Sequence, residues 1–408
     1  MRQNVKKSSF WLLVVILTSY FVVGFPDGAF TVSWLGISED IAGMTTAHTG
    51  FILVAYSVTY TIAGIILPQL SKRLKLQSVY ILGLIVMGLG FVSLALAGNF
   101  SLVLVAIAVY GLGTGGMASS MNAYMAKHFT ASQNNLMHFF WGAGAAFSPM
   151  LMGKAMAIFT WRAGYFILTG VLVLVLVILL ISVSKKMWLT EDESPVDGPI
   201  KNQTTDTFAV TAPPKTKHLT KKWHQFVEIL TFFFLGGTDY TLVFFTGAAL
   251  VARGDHTNES VAIFPAVYYI FMTVGRLIFG ILAKWLKELQ IIRIGIVIAL
   301  GGVVILYFTG NIAGMALTGF GLAPLLPTLV SDTSNRFTPK ILSKIVGYEL
   351  AAFGAGIAVL FFMTSQLMHF ISYEALFPLG VTFILLVFVC NEILDKALKK
   401  CQNNKPGG

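Results

Sequence analysis

The sequence predicts an all-α membrane protein with twelve transmembrane helices in two pseudo-symmetric six-helix halves. Three observations predict it. Of the 408 residues, 56% are hydrophobic and 11% charged, with a mean hydropathy of +0.78, whereas soluble domains carry about 25% charged residues. Twelve segments are apolar over the roughly 20 residues that a membrane helix needs. A motif of the first six spans also returns in the second six at an offset of 212 residues, as Gly24-Phe-Pro-Asp27 and Gly236-Gly-Thr-Asp239.

The expected spans are 10–36, 46–70, 77–97, 101–126, 133–158 and 162–183 in the first half, then 225–252, 259–283, 290–309, 312–333, 344–369 and 373–394 in the second. The first is too long for the apolar core of a signal peptide and has no small-x-small cleavage site before the next span. The tenth contains Pro324 and Pro327, which imply a kinked helix suited to rocking or gating. Residues 184–223 begin with an acidic run and continue Ser/Thr/Pro-rich, a composition that cannot bury a core and reads as a flexible cytoplasmic loop. The expected organisation is therefore 1–183, the loop 184–223, and 224–408 with a short cytoplasmic tail.

Of 28 basic residues, 24 fall at the termini and in connections that share one side. The positive-inside rule puts that side, and both termini, in the cytoplasm of a cell-membrane protein. The net charge of +10 is spread between apolar segments and forms no stripe, so nucleic acid is not an expected partner. Two cysteines, Cys390 and Cys401, exclude a disulfide scaffold and a multi-cysteine metal site. Nucleotide-loop, zinc-protease and nucleophile-elbow motifs are missing, so neither an enzyme nor an ATP-driven pump is expected, and no cofactor or metal. The expected partners are the bilayer, protons and a small-molecule solute, with the chain acting as a monomer.

An ionisable side chain inside a membrane needs a partner, a cavity or a job. Asp27 in span 1 and its repeat mate Asp239 in span 7 are candidate proton-coupling and substrate-binding carboxylates. The alternative for each is an acid that caps freed backbone groups, in Asp27 beside the break at Pro26. His138 and Trp141 lie on one face of span 5 at helical spacing. They read as solute contacts, or else as an interhelical hydrogen bond and a packing ring. Asn122 follows the glycine series Gly111-Leu-Gly113-Thr-Gly115-Gly116 in span 4, and Tyr268 and Tyr269 occupy span 8. These three are candidate cavity-lining residues, with ordinary packing as the other reading. Arg276, Asp332 and Glu349 are gating candidates near span ends. Arg276 pairs with Asp332 or another acid in one reading and snorkels to headgroups in the other.

Several segments together resemble the major facilitator superfamily and, within it, the fucose permease-like sugar–proton symporters. They are Gly24-Phe-Pro-Asp27-Gly28-Ala29, Gly111 through Ala123, Leu136 through Pro149, Gly275-Arg276-Leu277 and Gly319 through Thr328. The resemblance implies alternating access with a sugar bound between the halves, and a coupling or recognition role for Asp27. It has departures. The position four residues before Asn122, a glutamate in the fucose permease pattern, is Ala118, and His138 stands where that pattern has glutamine. Asp239 stands where related sequences carry glutamate, and Pro68 and Lys72 interrupt the usual signature after span 2. The expected function is proton-coupled transport of a small polar solute such as a sugar. Proton-driven efflux of an amphipathic compound is the alternative, and a solute sensor on a transporter fold a more distant one.

Overall fold

In the computed structural model, residues 2–70, 74–129, 131–189 and 218–403 are described. Lys72 and most of the expected 184–223 connection lie outside them. The chain divides into two compact units, Met1–Thr207 and Phe208–Gly408.

The first unit contains α1 (Arg2–Val23), α2 (Phe25–Asp40), α3 (Thr46–Leu70), α4 (Leu76–Ala95), α5 (Phe100–His128), α6 (Ala131–Ile158) and α7 (Trp161–Ser184). The second contains α8 (Lys222–Arg253), a single turn α9 (Asn258–Val261), α10 (Phe264–Leu282), α11 (Glu288–Thr309), α12 (Ile312–Leu322), α13 (Leu325–Arg336), α14 (Pro339–Phe370) and α15 (Leu376–Asn403). Besides span 8, which begins as the single turn α9 before α10, two expected spans are broken helices. Span 1 is α1 and α2, interrupted at Gly24 with Pro26 in the first turn that follows. Span 10 is α12 and α13, interrupted at Ala323-Pro324. In both, a proline supplies no N–H to the helical ladder and its ring crowds the preceding turn. Among the described residues, ten helical segments are long and apolar enough to cross a membrane. The 25-residue α3 and the 28-residue α6 occupy the two other expected ranges.

The same helix pairs pack in each unit. In the first, α5 lies against α3 and α4, α6 against α1 and α2, and α7 against α4. In the second, α12 lies against α10 and α11, α14 against α8, and α15 against α8 and α11. Glycine sets these contacts, because membrane helices approach closely only where side chains are small. A Cβ on Gly24 would sit 2.1 Å from the Trp141 carbonyl oxygen, and one on Gly236 would sit 2.1 Å from that of Phe353. A Cβ on Gly144 would meet the Phe21 oxygen at 1.8 Å, and one on Gly356 the Phe233 oxygen at 1.8 Å. All four pairs keep the 212-residue offset, so it holds in backbone packing as well as in the G-x-x-D motif. Gly111 of α5 and Gly319 of α12, 208 apart, pack on the carbonyls of Tyr56 and Tyr268, which are 212 apart.

Candidate functional site

Close helix approach in the first unit brings four of the expected residues together. With Gly24 and Gly144 letting the α1–α2 break lie on α6, the Trp141 indole Nε1 donates to Asp27 Oδ2 at 3.1 Å. Beside it, Ser148 Oγ of α6 donates to the Phe25 carbonyl at 2.9 Å. The Asp27 carboxylate is engaged by Trp141. One turn back on α6, the His138 ring stands edge-on to Tyr20, 5.8 Å between centroids. The Asn122 amide donates to the Tyr20 hydroxyl at 3.4 Å and to the Ala118 carbonyl at 2.8 Å. Asp27, Asn122, His138 and Trp141 are all half-buried. Tyr20 ties them together, and the sequence reading missed it because a tyrosine in an apolar run gives no periodic signal.

In the second unit the Tyr268 hydroxyl of α10 donates to Asp239 Oδ1 of α8 in a short contact. Asp239 is half-buried, whereas Tyr268 is fully buried. Tyr268 is fixed from behind, because Gly319 lies against its carbonyl. The Tyr269 ring packs edge-on beside it, 5.5 Å between centroids. Arg276, two turns along α10, is near enough for its charge to act on Asp239 and both tyrosines. The two repeat-related aspartates thus have different aromatic donors, an indole from α6 for one and a phenol from α10 for the other.

The expected pairing of Arg276 with Asp332 is corrected by the structure. Asp332 is held by Arg336, one helical turn on, at 2.6 Å, while the guanidinium of Arg276 contacts Met272 Sδ at 3.5 Å and shares the neighbourhood of Asp239. Glu349 lies apart from Arg276, in a buried network that sequence reasoning overlooked. Arg336 of α13 donates to both carboxylate oxygens of Glu228 of α8, at 3.0 and 2.8 Å, and also reaches Asn391 of α15. The Thr333 hydroxyl lies 3.3 Å from Glu228 Oε1 and 2.8 Å from Glu349 Oε1. Glu228 and Glu349 are both 0% exposed and Arg336 is 1% exposed. The signal was present: Glu228 is an acid in an apolar window, and Asp332 and Arg336 are four apart. Counting Arg336 only as a loop charge concealed it. Among the described residues no cluster of three or more His, Cys, Asp or Glu side chains is arranged to hold a metal ion.

The sequence matches the profile of the Major Facilitator Superfamily over residues 16–340. The chain belongs to this superfamily. No curated protein matches it in sequence. Among solved structures, a mutant of the peptide transporter POT aligns with 98% of each chain covered, 14% identity and a TM-score of 0.75. A bacterial homologue of the human lysosomal transporter Spinster, inward-facing and occupied, aligns over 97% of this chain and 98% of its own, with 14% identity and a TM-score of 0.72. The transporter FucP in the outward conformation aligns over 95% and 99%, with 15% identity and a TM-score of 0.58. At such identities the likeness shows the fold, the all-helical major facilitator fold of a multi-pass membrane protein, and does not select the fucose permease-like group. Members of the superfamily are transporters rather than enzymes, and this chain is a transporter of a small-molecule substrate.

Proposed function

We propose that this major facilitator carries a small polar solute, a sugar, across the cell membrane by alternating access, coupled to protons through Asp27 and Asp239. The observation that carries this reading is a shared chemical arrangement. Each unit sets one half-buried carboxylate at a repeat-related position and engages it with an aromatic N–H or O–H donor. A carboxylate so held keeps its hydrogen bond whether or not it takes up a proton, because the donor needs only an oxygen lone pair. Around Asp27, the Tyr20 hydroxyl, the Asn122 amide, the His138 imidazole and the Trp141 ring supply both polar groups and ring faces. That mixture suits a polyhydroxylated ring, which presents hydroxyl edges and an apolar C–H face. Arg276, Asp332 and Glu349 are assigned to control of opening rather than to solute contact.

Uptake by proteoliposomes, with a panel of radiolabelled sugars and an imposed pH gradient, tests the reading. The expected result is gradient-dependent accumulation of at least one sugar. Expulsion of amphipathic dyes with no sugar accumulated in either gradient direction overturns it in favour of efflux.

The proposed orientation, with both termini cytoplasmic, rests on the asymmetry of the basic residues. It has its own test in a background lacking Cys390 and Cys401. A cysteine at the exposed Gly98 is expected to label with an impermeant thiol reagent in intact cells, and one at the exposed Ser184 to label only after lysis. The reverse pattern inverts the topology.

A further inference from the structure

The hydrogen-bond geometry around Thr333 asks for one more proton than the side chains supply when both buried glutamates are ionised. Three oxygens surround Thr333 Oγ1: the Leu329 carbonyl at 3.0 Å, Glu228 Oε1 at 3.3 Å and Glu349 Oε1 at 2.8 Å. A hydroxyl has one hydrogen to donate and can accept two bonds. If all three neighbours were pure acceptors, two of these contacts would set lone pairs against each other in a site closed to water.

Glu228 already has its countercharge, because Arg336 donates to both of its oxygens. The nearest contact to Thr333 belongs to Glu349, and its second oxygen, Oε2, is buried with no hydrogen-bond partner. An ionised oxygen left so in the interior is far costlier than the oxygen of a neutral acid. The charged groups that face Glu349 are Glu228 of α8 and Arg336 of α13, with Asp332 and the uncharged Asn391 held on Arg336 and the thiol of Cys390 on α15 near Glu228. One guanidinium thus serves two carboxylates before Glu349 is counted.

We propose that Glu349 is a proton-binding site, distinct from Asp27 and Asp239, whose neutral carboxylic acid donates to Thr333 Oγ1 and so holds α14 against α13 and α8. Thr333 then donates onward to Leu329 or Glu228, so the shortest contact and one of the two longer ones contain a hydrogen. Loss of the proton places a second carboxylate beside Glu228 across the α8–α14 packing, where repulsion favours separation of the two helices. Release of that proton therefore works as a trigger for rearranging one end of the second unit. The trigger role rests on the assignment of Glu349 to control of opening, whereas the protonation itself is tested below without any transport assay.

The test is infrared spectroscopy of the purified full-length protein at neutral pH, comparing wild type with Glu349→Gln. The expected wild-type-minus-variant spectrum shows a positive protonated carboxylic acid C=O stretch, absent from the variant and slow to shift on exchange into D₂O. Glutamine reproduces the shape and the donor of the neutral acid, so an unchanged melting temperature is also expected. Loss of carboxylate stretches, with no acid band, overturns the proposal. So does a Glu349→Gln chain that fails to fold while Glu349→Asp folds, because the neutral isostere is then the wrong state to have copied.

Discussion

Asp239→Asn is expected to reduce gradient-driven solute accumulation to the level seen without a gradient, while the protein still inserts and folds. The reasoning runs through Tyr268. Its hydroxyl donates to Asp239 Oδ1, and an asparagine carbonyl oxygen can accept the same bond, so the α8–α10 contact survives. What disappears is the titratable charge and its interaction with Arg276. A hydrogen bond to a charged group is worth about 1.5–3 kcal/mol, so solute that binds through the carboxylate should bind on the order of tenfold more weakly or worse. Asp27→Asn is expected to split the functions in another way. Trp141 still finds an acceptor, so exchange of bound solute persists while accumulation against a gradient is lost. Measuring accumulation and counterflow side by side for both variants separates coupling from binding. Unchanged accumulation and an unchanged pH profile in both would make these aspartates structural acids.

Much of the fold was legible because the bilayer imposes a coarse rule on sequence. The expected 101–126, 133–158 and 162–183 compare with Phe100–His128, Ala131–Ile158 and Trp161–Ser184. The rule fails where a helix outlasts its apolar stretch. Span 12 was expected to stop at 394, yet α15 runs to Asn403. Beyond the apolar part it continues as an amphipathic helix, with Asp395 and Lys399 paired one turn apart. The repeat was legible too, since glycine and aspartate returned at a fixed offset and the glycines mark backbone contacts that side chains cannot fill.

The site was legible in its residue types but not in its pairings. Asp27 and Trp141, 114 positions apart, meet only because α1, α2 and α6 pack through Gly24 and Gly144. Asp239 and Tyr268 were both singled out, but nothing in their spacing says that one donates to the other. Arg276 and Asp332 were matched by charge and by nearness to span ends. The structure instead gives Asp332 to Arg336, four residues away on its own helix, where the cost of bringing charges together is smallest. Buried networks are the hardest to read, since Glu228 and Arg336 are 108 positions apart and each has an innocuous explanation alone.

Glu228→Gln and Arg336→Met are each expected to lower stability severely, and more than any aspartate variant above. The pair is at 1% and 0% side-chain exposure with a contact of 2.8 Å, so water does not soften the loss of either member. Removing one partner of a buried ion pair costs about 3–5 kcal/mol, because the other charge stays behind uncompensated. In Glu228→Gln the stranded guanidinium keeps Asp332 and Asn391. In Arg336→Met the stranded Glu228 keeps only the 3.3 Å contact to Thr333, so the arginine variant should be the worse of the two. Arg336 also links α13 to α8 and α15 at once, and its carbonyl accepts from Leu219 N at 2.7 Å. Leu219 in turn packs in a buried cluster with Phe337, Ile345 and Leu394. Loosening the α13 end therefore disturbs the apolar cluster beside it. The double variant Glu228→Met/Arg336→Met should be less damaged than the sum of the singles, since both desolvated charges leave together. Melting temperatures of the detergent-purified proteins decide the matter. Single variants that melt with wild type, or a double whose loss equals the sum of the two, would show that this ion pair does not hold the second unit together.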